Sequence, residues 1–215
     1  MSEIIVHGIA GSPFVRAVLA GLEEKGAAWR LSPLIPGEFR TPAYLAKHPF
    51  GRMPVIENGG YVLYETQAIL RYLDALIPSP PLQPKAPQAV GRMNQLIGIN
   101  DWYFFPQVAA VIGFERVVKP MFLGQEPDLD RVAAAVPQAR VSFDELERLL
   151  DDQAFLAGDA LTIADLMLAP QIAFLAQTPE GAELLAGKRL AGWLARMEAR
   201  PSFQATRTER LLQAA

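Results

Sequence analysis

A chain of 215 residues with net charge −3 and basic residues scattered singly lacks the charged stripe of a nucleic-acid binder, so no nucleic-acid partner is expected. Hydrophobic residues make up 51% and charged residues 20%, a globular composition long enough for one large domain or two small ones. Cysteine is absent and histidine is limited to His7 and His48, which excludes disulfides and protein thiolates and leaves no expectation of a metal site or a Ser-His-Asp hydrolase. No apolar run reaches the roughly 18 residues of a membrane span, and MSEIIVHG lacks the charged and apolar regions of a signal peptide. A cytoplasmic protein without a membrane partner is the expectation.

Glu3 to His7 reads as a short strand by its β-branched run. After the loop glycines Gly8 and Gly11, Ser12 stands as an N-cap and Pro13 at the first helical position. Val15, Val18, Leu19 and Leu22 give the apolar face of that helix, and Gly26 ends it. Trp29 to Leu31 reads as a second strand, followed by a variable segment from Ser32 to Ala46.

Residues 47–70, KHPFGRMPVIENGGYVLYETQAIL, combine a turn, two short strands and a helix start. Pro54 opens the run Val55-Ile56, where a proline costs no ladder donor. The Met53-Pro54 bond is a candidate for cis, although only about 5% of such bonds in folded proteins are. Asn58-Gly59-Gly60 turns the chain, Tyr61 to Tyr64 forms a second strand, and Glu65-Thr66 opens a helix with Ala68, Ile69, Tyr72, Leu73 and Leu76 on one face. Five prolines in residues 78–87 make that stretch a linker.

Everything beyond reads helical. Gln88 to Phe105 is one helix, interrupted near Pro106, and Leu129 to Leu150 is another. Thr162 to Asp165 forms a capping box, Pro170 is expected to bend the helix that follows, and two further helices span about Lys188–Arg200 and Ser202–Leu212. Pattern thus yields an α/β unit over 1–77, a linker over 78–87 and an all-helical unit over 88–215.

HPFGRMPVI followed by LYETQAILRYL resembles the glutathione-binding half of the cytosolic glutathione S-transferases, and specifically bacterial, serine-type, phi/theta-like members. The resemblance implies a thioredoxin-like N-terminal domain plus an all-α C-terminal domain that contributes the site for a hydrophobic electrophile. It also implies a homodimer, with glutathione as co-substrate.

Under that resemblance Ser12 becomes the catalytic residue, its hydroxyl donating to the thiolate of glutathione at the positive end of the first helix. Read from the residues alone, Ser12 is an ordinary N-cap. A free thiol with pKa near 8.5 is only about 3% ionised at pH 7. A shift of roughly two units, about 2.7 kcal/mol, makes most of it thiolate. Phe14 stands beside Ser12 on the glutathione-binding side. If the bond to Pro54 is cis, Met53 can pair with the tripeptide through its backbone. Glu65 is expected to meet the γ-glutamyl ammonium, and Thr66 its carboxylate. Arg40, in a Phe39-Arg40 pair where serine-type members often have His-Lys, is the candidate for the glycyl carboxylate. Arg52, where glutamine is frequent, is a second.

Trp102, Tyr103, Phe105 and Phe114 are candidate walls for the electrophile, although Trp102 to Phe105 are four aromatics in a row that point to every side of a helix, and most such aromatics are core. His48 is read as structural. The alternatives are a non-catalytic binding module, or another glutathione-dependent reaction: peroxide reduction, ether cleavage, dehalogenation or isomerisation. Gly11-Ser12-Pro13-Phe14-Val15 departs from the Ser-Ser-x-x-Cys of the isomerases, and thiol-transferase chemistry needs the missing cysteine.

Overall fold

The computed structural model describes residues 3–213. The first two residues of the stretch read for a signal peptide and the last two of the helical region lie outside the described residues. Two compact units are present, one running to Gln83 and resuming at Glu198, the other spanning Pro84–Met197.

The first unit is built on a four-stranded sheet of order β2-β1-β3-β4. β1 (Ile4–Gly8) and β2 (Trp29–Pro33) are parallel, with α1 (Pro13–Glu24) as the crossover. β3 (Val55–Asn58) runs antiparallel to β1, and β4 (Tyr61–Tyr64) antiparallel to β3. Asn58 pairs with Tyr61, so Gly59-Gly60 is a two-residue hairpin loop. Both glycines have positive φ (58° and 89°), the condition a type I′ turn imposes. A 3-10 turn at Glu38–Arg40 and the short α2 (Pro42–Leu45) fill the variable segment, and α3 (Thr66–Leu76) follows β4.

The apolar face read from the sequence of α1 is the buried one. Val15, Val18, Leu19 and Leu22 join Ile4, Val6, Ile56, Ile69 and Leu73 in one cluster, each such side chain contributing about 1.5–3 kcal/mol by its burial. A charged pair that periodicity did not mark closes the unit. Lys25, its side chain fully buried, donates to Asp74 at 2.6 Å and to the Pro80 carbonyl. Asp74 also accepts from the Leu82 amide at 2.7 Å and from Gln83 at 2.9 Å. The proline-rich stretch, without helical hydrogen bonds of its own, is therefore tied to α1 and α3.

The last helices also belong to this unit, which departs from the expectation of one helical unit over 88–215. Arg16 donates to Glu198 at 2.9 Å and to the Phe203 carbonyl at 3.1 Å, Arg200 grips Glu24 with two 2.8 Å bonds, and Leu211 enters the core cluster. Helical periodicity marks a buried face, but not the unit against which it is buried. The expected Ser202–Leu212 helix is two short ones, α10 (Pro201–Ala205) and α11 (Thr208–Gln213). The hydroxyl of Thr206, between them, donates to the Ser202 carbonyl at 2.8 Å.

In the second unit, α4 (Pro87–Ile99) continues without a break into a π-helical segment, Asn100–Val118, and then α5 (Lys119–Leu123). The expected interruption near Pro106 does not occur. Widening to bonds that reach five residues back, as from the Lys119 amide to Phe114, moves the carbonyl that an α-helix would set against the proline ring. Phe104 is fully buried against Phe143 of α6 (Leu129–Leu150), with ring centroids 5.7 Å apart. α7 (Ile163–Leu175) runs on through Pro170. α8 (Pro179–Leu185) and α9 (Arg189–Glu198) complete the order.

The start of α7 is saturated with hydrogen bonds. Asp165 accepts from the Thr162 amide at 2.9 Å and hydroxyl at 2.8 Å, from the Leu156 amide at 2.8 Å and from the Trp193 indole at 3.1 Å. Burial pushes its carboxyl above the ordinary range against the pull of these four donors.

Candidate functional site

Strand register gathers the candidate residues of the first unit at one end of the sheet. His7 pairs with Val55, and Val55 with Tyr64, so the residues following His7, preceding Val55 and following Tyr64 leave the sheet on the same side. Those segments carry Ser12 and Phe14, Met53-Pro54, and Glu65-Thr66. Gly8 is level with Pro33, which sends the segment holding Phe39 and Arg40 off the same end.

Ser12 holds extended backbone (φ −65°, ψ 124°) at the cap of α1; its amide donates to the Ile9 carbonyl at 3.1 Å, and its carbonyl accepts from the Arg16 amide at 2.9 Å. A capping serine ordinarily spends its oxygen on the amide two or three residues on. Here the side chain makes no cap bond. The hydroxyl stands half-buried at a helix N-terminus with its hydrogen-bonding capacity unspent on α1. Phe14, also half-buried, is the second residue of the helix.

The Met53-Pro54 bond is cis. Pro54, just before β3, is buried, and Met53 packs against the core cluster. Among the described residues the Met53 amide and carbonyl enter no loop or turn hydrogen bond. The Tyr44 hydroxyl donates to the Arg52 carbonyl at 2.8 Å and so fixes the backbone just before Met53; burial pushes the Tyr44 phenol up to about 12, which keeps it a donor.

Glu65 departs from every expectation for a glutamate. Its φ of 72° lies in the left-handed region, an arrangement costing about 1–3 kcal/mol and favoured by glycine. The residue is exposed and its carboxylate does not cap α3, while its carbonyl accepts from the Ile69 amide at 2.9 Å. Thr66, the first residue of α3, is buried. An acid held beside a helix N-terminus, with amide donors adjacent, offers a partner for a cation and a seat for a carboxylate within one turn. Glutamate is an unusual occupant of that conformation, so the sequence carried no sign of it.

His48 is buried and stacked on Tyr64, with centroids 4.3 Å apart and an interplanar angle of 27°. Its Nδ1 has no partner. Burial lowers its pKa, Glu65 opposing and Arg52 adding to that effect, so the ring is neutral at pH 7. In the second unit Trp102 and Tyr103 are exposed while Phe105 and Phe114 are half-buried, so the run of aromatics does point to different sides, with Phe104 taking the core position. No cluster suited to a metal ion occurs among the described residues.

A mixed four-stranded sheet with its crossover helix, joined to a helical unit, is the thioredoxin-like plus all-α arrangement. Residues 6–81 match the model of the glutathione S-transferase N-terminal domain, and residues 129–196 that of the C-terminal domain. A glutathione S-transferase of Hyoscyamus muticus is 32% identical over 202 residues, covering 92% of this chain and 94% of its own. Glutathione S-transferase 3 of Zea mays is 31% identical over 212 residues, covering 96% and 94%. A solved glutathione S-transferase III in apo form superposes with a TM-score of 0.85 at 31% identity, over 95% of each chain. The chain belongs to the glutathione S-transferase family. These relatives do not carry the narrower bacterial affiliation, since the two whose source is given are plant proteins.

Proposed function

We propose that this protein conjugates the thiolate of glutathione to a hydrophobic electrophile, and that it does so as a serine-type, phi/theta-like transferase with Ser12 as the catalytic residue. The observation that carries the assignment is the uncapped Ser12 hydroxyl at the N-terminus of α1, at the sheet end shared by Met53-Pro54 and Glu65-Thr66. The hydroxyl and the helix N-terminus together supply a donor and a positive potential to a sulfur anion, so the thiol loses its proton near neutrality. Conjugation then consists of attack by the thiolate on the electrophilic carbon, with departure of the leaving group or addition across the bond.

The tripeptide is held by several groups. Phe14 borders the sulfur side. The Met53 amide and carbonyl pair with the glutathione backbone in the manner of strand addition, from the segment that enters β3 through Pro54. Glu65 meets the γ-glutamyl ammonium, and Thr66 with the first amides of α3 receives its carboxylate. Arg40 and Arg52 supply positive charge for the glycyl carboxylate. Trp102, Tyr103, Phe105 and Phe114 are assigned to the electrophile site. The domain assignment is a thioredoxin-like domain over 1–77, a linker over 78–87 and a helical substrate-site domain over 88–215. The helical domain is thereby given a tail that packs on the first unit. The protein works in the cytoplasm as a homodimer; no helix among the described residues is long and apolar enough to cross a membrane.

Isothermal titration with glutathione, followed by a conjugation assay with chlorodinitrobenzene, tests this reading. Saturable binding with turnover supports it. Binding without turnover toward any electrophile makes the chain a glutathione-binding module, turnover only with peroxides or ethers gives one of the other glutathione-dependent reactions, and no binding overturns the proposal.

A further inference from the structure

The Arg40 guanidinium lies over the Phe39 ring, 5.6 Å from its centroid. Among the described residues that is the contact it makes; it forms no ion pair or hydrogen bond with another side chain. Phe39 is not free to follow a mobile arginine, since its half-buried side chain packs against the cluster of Leu34, Tyr44 and Val55. The backbone beneath it is fixed as well. The Arg40 amide donates to the Gly37 carbonyl at 3.0 Å and the Thr41 amide to Glu38 at 3.0 Å.

Gly51 lies close against the same segment. A Cβ there would lie 3.0 Å from the Phe39 carbonyl oxygen and 3.6 Å from Arg40 Cδ, and its φ of 58° is itself one that glycine favours. Arg52 follows directly, its carbonyl held by Tyr44. Arg40 and Arg52 are thus both brought next to Gly51, just before Met53, and among the described residues neither is paired with an acidic side chain. An exposed arginine ordinarily gives up much rotamer freedom on binding an anion; an aromatic platform removes part of that cost in advance.

We propose that Phe39 is a positioning residue for glutathione. Its ring, anchored in the Leu34–Tyr44–Val55 cluster, holds the Arg40 guanidinium ready for the glycyl carboxylate. This rests on the assignment of Arg40 to that carboxylate, and the test separates the two. Phe39→Leu keeps apolar bulk against the cluster and removes the π face, so folding is preserved; Phe39→Tyr restores the face. Steady-state kinetics with chlorodinitrobenzene are measured for wild type, Phe39→Leu, Phe39→Tyr, Arg40→Ala and the Phe39→Leu/Arg40→Ala double variant. Each is run with glutathione and with its glycyl monoethyl ester, which lacks the carboxylate.

Phe39→Leu is expected to raise KM for glutathione about two- to fivefold, the range an exposed cation–π contact supports, with little change in kcat. Phe39→Tyr returns KM to the wild-type value. The Phe39→Leu penalty disappears with the ester and in the Arg40→Ala background. A penalty that persists with the ester, or that adds in full to that of Arg40→Ala, overturns the positioning role. Arg40→Ala affecting glutathione and ester equally overturns the Arg40 assignment itself, and the proposal with it.

Discussion

Of the helices capped by a hydroxyl residue, α1 and α7 use it in opposite ways. At the start of α7 the Thr162 hydroxyl donates to Asp165, and that carboxylate collects three further donors, so the corner is closed and buried. At the start of α1 the Ser12 hydroxyl makes no cap bond and α1 begins on Pro13 instead. The start of α3 is similar, with Glu65 held at φ 72° and its carboxylate not turned onto the helix. Satisfied polar groups stabilise a fold, whereas groups left unsatisfied at a helix N-terminus remain available to a ligand. The same chemistry of caps thus separates a corner built for stability from one suited to binding an anion.

Substitutions at the two corners should therefore fail in different assays. Asp165→Ala leaves two amides, an indole and a hydroxyl without their acceptor; at about 1–3 kcal/mol for each buried donor, the loss is on the order of 4 kcal/mol or more. Urea denaturation reads it directly. Ser12→Ala is expected to lower kcat/KM about 100-fold, equivalent to roughly 2.7 kcal/mol, while stability moves by less than about 0.5 kcal/mol because no cap bond is lost. A large stability loss with activity per folded molecule intact would reverse the comparison at Ser12.

The buried carboxylates sharpen it further. Burial raises the Asp74 pKa, but Lys25, Gln83 and the Leu82 amide outweigh this and leave it below the ordinary value. The unfolded chain then takes up the proton first. Asp74 contributes full stability above the unfolded pKa of about 3.9, and that contribution is lost as pH falls through the lower native value. Asp165, raised by burial, has the opposite sign: its contribution is fully present below the unfolded value and is lost as pH rises through the native one. Asp74→Asn should accordingly flatten the acid limb of the stability profile, at the cost of a lower plateau where Lys25 has lost its counter-ion. An acid limb identical to wild type contradicts this. The smallest effect is reserved for Thr66→Val, which keeps volume and removes the hydroxyl: KM for glutathione should rise about fivefold, near 1 kcal/mol, with the melting temperature unchanged. An unchanged KM takes Thr66 out of the carboxylate seat.

Much of this was legible before any coordinates. Periodicity located the buried face of α1, Pro13 and Gly26 bracketed that helix, and Leu129–Leu150 was read at its observed bounds. The candidate positions of the first unit were legible because they occupy an ordered motif of prolines, glycines and a helix start. Three features were not. The left-handed glutamate has no signature, since any residue can stand before a threonine. The Lys25–Asp74 pair joins residues 49 apart, and only the tertiary fold brings them together. The helix through Pro106 continues because its winding widens, whereas reading a proline as a stop presumes α geometry.

Assignment of a sulfur anion to the Ser12 corner is tested most directly by the pKa of bound glutathione. Ultraviolet thiolate absorbance should be followed across pH for glutathione bound to the wild-type protein and to Ser12→Ala. The expected result is a thiol pKa about two units below the free value near 8.5 in wild type, and a return toward that value in the variant. The same lowered pKa in both proteins, or none in either, contradicts the role given to Ser12.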